Sequence, residues 1–163
     1  MGRPLFILLK EVFMKKSSVK RVNIVSVKLV RESSVLYERR RISSPEDSYE
    51  LLKEFLEDKD REHFIVVSLD TKNQPVSINV CHIGSLNMSL VSPREVMKSA
   101  ILSSAASVIV AHNHPSGDTK PSREDVDVTK RLTEAGKLMG IELLDHLIIG
   151  EGKYTSLKEK GYI

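Results

Sequence analysis

Among the 163 residues there is a single cysteine, Cys81, and no tryptophan. A lone thiol excludes an intramolecular disulfide and a cysteine-built zinc cluster, and it fits a reducing cytoplasm. No neighbour in the sequence would activate Cys81, so it reads as a small buried hydrophobe rather than a nucleophile. Long apolar runs are also missing. Nothing approaches the ~20 residues of a membrane span. The stretch Leu5 to Leu9 is too short for a secretory core and is followed by Lys10 and Glu11. Phe6 stands where a myristoylation signal beginning at Gly2 has Ser or Thr. Repeats and low-complexity tracts are absent as well. The expectation is a cytoplasmic, non-membrane protein. Its length fits one compact domain, or a domain with a short arm, that buries a core without covalent staples.

The net charge of +3 is small, but it is unevenly spread. Residues 1–41 hold eleven Lys and Arg against three acids, and Arg39-Arg40-Arg41 is the densest basic cluster. The rest of the chain is acidic. A basic arm can touch nucleic acid. No aromatic or glycine-rich nucleic-acid module accompanies the charge, which favours a solvated strand end. Oligomeric state is not legible in the residues.

The pattern of apolar residues predicts an α+β chain. Residues 1–20 read as a loose helix or arm. Val22 to Val30 reads as a strand hairpinned through Ser33-Ser34 to a second strand near Val35 to Arg39. Ser44-Pro45-Glu46-Asp47 starts a helix, with Ser44 at the N-cap and Pro45 at the first helical position, and it runs to about Glu57. Phe64 to Leu69 is a buried strand. Val76 to Val91 is extended, with a bend at Gly84. Ser92-Pro93-Arg94-Glu95 opens another helix. Ser107 to Ala111 is a short strand, His112 to Pro121 a loop, and Ser122 opens a helix carrying Val126, Leu132 and Leu138. Gly140 stops that helix and Leu143 to Ile149 is a last strong strand. Strands and helices alternate without regular βαβ units, which points to a mixed sheet with helices packed against it. The division expected is a basic arm and hairpin over 1–43 and the main domain over 44–163.

Chemistry concentrates in one stretch. His112 ends a buried strand and His114 follows two residues on, so in extended backbone both imidazoles point the same way. Pro115, Ser116, Gly117 and Pro121 force a loop, which returns to a helix start at Ser122 with Asp125 in its first turn. Two imidazole nitrogens and one carboxylate are a frequent catalytic zinc set, leaving a fourth tetrahedral position open for water. Ser122 and Asp125 also suit plain helix capping, and capping is compatible with ligation because it fixes the aspartate.

The spacing His-x-His-x7-Ser-x2-Asp, filled by His112, His114, Ser122 and Asp125, resembles the JAMM (MPN+) metalloprotease motif. The text His112-Asn113-His114-Pro115-Ser116-Gly117 is similar to the RadC branch of that superfamily, as are Leu69-Asp70, Gly84-Ser85-Leu86-Asn87, Pro93-Arg94-Glu95-Val96 and Leu144-Asp145-His146-Leu147. The likeness covers roughly residues 45–163, and no match to the helix-hairpin-helix region of larger members is found. The resemblance implies a JAMM/MPN-like (cytidine-deaminase-like) curved mixed sheet. It also implies a zinc ion held by His112, His114, Asp125 and water, with Ser122 as hydrogen-bond donor to the oxyanion or bound water. The superfamily further requires an upstream glutamate as general acid/base. Glu62, at the head of the Phe64 to Leu69 strand, is the first choice; Glu95, already accounted for as a helix-capping partner, is the rival. His63, His82 and His146 are assigned no metal, and His146 reads as a core or supporting residue.

The function expected is a zinc-dependent peptidase or isopeptidase acting on a protein or peptide substrate. The alternatives are a DNA-associated accessory protein with weak contact through residues 1–41, and a metal-binding scaffold without catalysis.

Overall fold

The computed structural model describes residues 20–84 and 91–163. The arm expected over 1–20 falls almost wholly outside these residues, as does the far end of the extended stretch that follows residue 84. Among the described residues the order is α1 (Pro45–Leu56), β1 (His63–Leu69), β2 (Pro75–Ile83), α2 (Pro93–Leu102), β3 (Ser107–Asn113), α3 (Arg123–Met139), β4 (Glu142–Gly150) and β5 (Lys153–Ser156). The strands form one mixed sheet in the order β2-β1-β3-β4-β5. β1 runs antiparallel to both β2 and β3, β3 is parallel to β4, and β5 returns antiparallel on β4.

Helices cover both faces of this sheet. Ile65, Val67 and Leu69 of β1 pack with Ile109 and Ala111 of β3 and with Leu52 and Leu56 of α1. Their neighbours Phe64 and Val66 face the other way, onto Val96 and Met97 of α2 and Val128 and Leu132 of α3. Successive strand residues point to opposite faces, so a strand covered twice reads as an unbroken apolar run. β1 and β3 are such strands, and every residue of β3 is buried.

The helix starts lie where capping chemistry puts them. Ser44, Ser92 and Ser122 each accept the amide of the residue three positions on. Gly140 closes α3 in the left-handed region, at φ 67°. The buried side of α3 is Asp125, Val128, Thr129, Leu132 and Gly136. That stripe corrects the expected one, since Leu138 is exposed and Val126 only half-buried.

The expected hairpin over Val22 to Arg39 is not formed: no strand lies between residues 20 and 44. Val22, Ile24 and Leu36 are almost fully exposed. The alternation slips between Ile24 and Val25, so neither face of the segment is uniformly apolar. A two-stranded ribbon without a third strand or a helix to cover it is marginal in water. No helix among the described residues is long and apolar enough to cross a membrane.

Candidate metal centre

β3 runs two residues further than the sequence pattern indicates, so His112 and Asn113 belong to the strand rather than to the loop. His112 is paired across the sheet with Phe64 of β1 and Ile148 of β4, and it is fully buried. His114 follows the strand end; its amide donates to the Ile149 carbonyl at 3.0 Å, so the chain is still held against β4 there. Gly117 turns the loop at φ 79°, donating its amide to the His114 carbonyl at 2.9 Å. The loop then lies against Gly150. A Cβ added at Gly150 would stand 2.4 Å from the Gly117 carbonyl oxygen, so this close approach requires glycine.

The loop ends at Ser122, which is exposed and caps α3 through a reciprocal pair. The Asp125 amide donates to Ser122 Oγ at 3.1 Å and the Ser122 amide donates to Asp125 Oδ2 at 2.7 Å. This capping box orients the aspartate toward the two histidines. Asp125 Oδ1 lies 3.1 Å from His112 Nε2, and Oδ2 lies 3.4 Å from His114 Nε2. The two Nε2 atoms are 3.0 Å apart. Ligand atoms of the three residues all fall within 4.8 Å of one another.

That arrangement fits a cation. His114 Nδ1 is 2.6 Å from the Asp118 carbonyl oxygen, which can only accept, so Nδ1 carries the hydrogen and Nε2 offers a lone pair to the centre. Ligands about 2.0–2.2 Å from a tetrahedral zinc stand about 3.3–3.6 Å from each other. The two imidazole nitrogens are 3.0 Å apart, and each has an Asp125 oxygen close by, Oδ1 at 3.1 Å from His112 and Oδ2 at 3.4 Å from His114, so small adjustments bring the set to that spacing. The electrostatics agree. The Asp125 carboxylate, which would accept a hydrogen bond from the protonated ring, raises His114 above the ordinary imidazole range against the effect of burial. Burial pushes Asp125 up, but the neighbouring imidazoles of His112 and His114 and the Ser122 amide, all of which favour the carboxylate, outweigh it and hold the carboxyl well below the usual range. The centre stabilises positive charge beside a buried anion.

Glu62 is half-buried just before β1 and shares one open cleft of about 400 Å³ with His114, Ser122, Glu124 and Asp125. Glu95 is elsewhere: it is half-buried on α2, its amide meets Ser92 Oγ and its carboxylate pairs with Lys98 at 2.8 Å. Of the two candidate glutamates, the fold brings only Glu62 to the histidines.

Three supporting residues surround the centre. His146, fully buried on β4, places Nε2 2.8 Å from His112 Nδ1 and Nδ1 2.6 Å from Thr129 Oγ1 on α3. Burial, and then the neighbouring His112, keeps its imidazole well below the ordinary range, so it is neutral. The expectation of a core or supporting role for His146 agrees with this position. Asn113 was not anticipated. Its carboxamide oxygen accepts the His63 amide at 2.7 Å and its nitrogen donates to the Arg61 carbonyl at 3.1 Å, bracketing Glu62 from both sides. Nothing local could have signalled this, because the partners lie 50 and 52 residues away. Thr129 follows Asp125 by four residues, which places both on one helix face. Cys81 is partly buried against the apolar cluster under α2 and α3, and burial pushes its thiol up to about 12.

A mixed sheet clad by helices, with two histidines and an aspartate converging at its strand ends, defines a JAB/MPN-like domain carrying a candidate metal site. The profile of the RadC-like JAB domain family matches residues 42–162, and the chain belongs to that family. A UPF0758 protein of Methanosarcina mazei is 54% identical over 132 residues, 81% of this chain and 58% of the relative. UPF0758 proteins of Geobacillus sp. strain WCH70 and Caldanaerobacter subterraneus are each 59% identical, over 122 and 121 residues, or 75% and 74% of this chain and 54% and 52% of theirs. The chain spans about half the length of the curated relatives it matches.

Proposed function

We propose that this domain is a zinc-dependent hydrolase of peptide or isopeptide bonds, with His112, His114 and Asp125 as the metal ligands. The observation that carries the reading is the convergence of those three ligand atoms in a cleft that Glu62 also lines. A divalent zinc ion bound there supplies Lewis-acid activation of a water at neutral pH. Glu62 takes that water's proton and returns it to the leaving nitrogen, which an amine needs in order to depart. Ser122, at the mouth of the cleft with its hydroxyl beside Asp125, donates to the developing oxyanion. The acidic lining formed by Glu62, Glu124 and Asp125 supports a peptide over a phosphodiester, whose negative charge it would repel.

The test is turnover by zinc-loaded protein on a panel of peptides and lysine-linked isopeptides. Glu62→Gln is expected to keep the metal and lower kcat by about 10²–10⁴-fold. Full activity in Glu62→Gln removes Glu62 from the reaction, and no turnover of any substrate by metal-replete protein favours the scaffold reading. A second reading, nucleic-acid contact through the arm, draws on the exposed basic residues between Lys20 and Arg41. It predicts that duplex binding weakens with salt and disappears when residues 1–41 are removed.

A further inference from the structure

We infer that Thr129 and His146 form a buried relay that fixes the tautomer of His112, so that its Nε2 lone pair always faces the metal position. The inference rests on the metal reading of His112, His114 and Asp125. Only Nε2 of His112 faces the other two ligands; Nδ1 points away, to His146. A neutral imidazole carries one hydrogen, so a bare Nε2 requires the hydrogen on Nδ1.

That hydrogen needs an acceptor, and His146 Nε2 at 2.8 Å is the atom placed to receive it. His146 must then hold its own hydrogen on Nδ1 and donate it to Thr129 Oγ1 at 2.6 Å. The threonine hydroxyl has one hydrogen left to place, and it goes to the Asp125 backbone carbonyl at 2.7 Å. A carbonyl only accepts. The chain therefore has one direction in which every hydrogen is matched: His112 to His146, His146 to Thr129, Thr129 to Asp125. Reversing it leaves the Thr129 and Asp125 oxygens facing each other at 2.7 Å with no hydrogen between them. It also puts a hydrogen on His112 Nε2, where the ligand lone pair belongs.

The relay closes on itself, because Asp125 supplies both the terminal carbonyl and the carboxylate beside His112 Nε2. His112, Asp125, Thr129 and His146 are all buried, with exposures of 0–2%, so water does not compete for these bonds. Partners that orient a ligating histidine typically change metal affinity 10–100-fold when removed. Thr129 touches no metal ligand atom and no part of the open cleft, so it acts purely by position.

The experiment measures zinc affinity of the full chain by competition with a chelator, for wild type, Thr129→Val and Thr129→Ser. It is paired with nitrogen-15 NMR of the imidazoles in metal-free wild type near pH 8. Thr129→Val keeps the volume and removes the acceptor; its Kd is expected to rise 10–100-fold. Thr129→Ser restores the hydroxyl and is expected to stay within about threefold of wild type. The wild-type spectrum is expected to show His112 and His146 both protonated at Nδ1. Equal affinity in Thr129→Val and wild type, or a hydrogen on His112 Nε2 in the metal-free spectrum, overturns the relay. A threonine that matters only for packing would lower thermal stability in the valine variant without moving Kd, which also overturns it. Wild type that binds no zinc fails the metal reading itself, and the NMR result still decides the relay.

Discussion

Gly150→Ala isolates the link between backbone packing and the metal centre. The residue ends β4, and the loop carrying His114 lies directly on it. An alanine Cβ would meet the Gly117 carbonyl oxygen at 2.4 Å, Thr119 Cγ2 at 2.8 Å and the Gly117 carbonyl carbon at 3.0 Å. Two of those three atoms are backbone, so a side-chain rotation cannot relieve the clash. Ordinary contact begins near 3.4 Å, so the loop must retreat by about 1 Å, toward the length at which overpacking costs ~1–3 kcal/mol. The retreat pulls on the His114 amide, held to the Ile149 carbonyl at 3.0 Å, and on the Asp118 carbonyl that orients the His114 ring. Urea unfolding of the metal-free protein is expected to show the ~1–3 kcal/mol loss, and zinc titration a weaker Kd. Gly140→Ala is the control. Gly140 has φ 67° with no heavy atom within 4 Å of a built Cβ. It is expected to cost about 1–2 kcal/mol through backbone strain alone and to leave zinc affinity unchanged. Wild-type stability and affinity in Gly150→Ala would refute the claim that the loop is seated on the strand end.

Other outcomes follow from the same geometry. Asn113→Ala removes both bonds that bracket Glu62; it is expected to retain zinc, cost ~1–3 kcal/mol, and accelerate hydrogen exchange at the His63 amide, while an unchanged exchange rate contradicts the bracket. Cys81, its thiol raised to about 12 by burial, is expected to resist alkylation near pH 8 in the folded chain and to react fully in urea, so rapid labelling of folded protein counts against its burial. Asp47 accepts the Ser43 amide at 2.8 Å, which together with Arg39 holds its carboxyl below the usual range against burial. A depressed acid contributes stability that is complete above its ordinary value of 3.8 and is lost as pH falls through the lowered one. Urea midpoints of wild type should therefore fall more steeply on acidification below about pH 4 than those of Asp47→Asn, and parallel curves would remove Asp47 from that loss.

Much of the candidate site was readable in the residues because its candidate ligands are close in sequence. His112 and His114 are two apart, and Asp125 sits in a helix turn announced by Ser122. The β1 and β3 strands were readable for a related reason: burial on both faces leaves an unbroken run of apolar residues. What the sequence concealed depends on distant partners. Asn113 meets residues 61 and 63, His146 meets Thr129 across the sheet-to-helix interface, and neither contact has a local signature. The hairpin expected near residues 22–39 shows the opposite failure. An alternating pattern states that a segment can form a strand, but whether a neighbour exists to pair with it is a property of the whole fold. The buried face of α3 was misplaced because Leu138 looks apolar in isolation, while the small and polar residues Asp125, Thr129 and Gly136 are the ones turned inward, toward the metal centre and the chain turn at Ile141.

The central claim is that three side chains brought together by β3 and α3 hold one zinc ion. Calorimetric zinc titration of wild type, His112→Ala, His114→Ala and Asp125→Ala, with folding of each checked by circular dichroism, tests it directly. The account predicts one ion per wild-type chain and loss of that binding in each folded variant. Wild type that takes up no zinc, or variants that keep the wild-type stoichiometry and affinity, would contradict it.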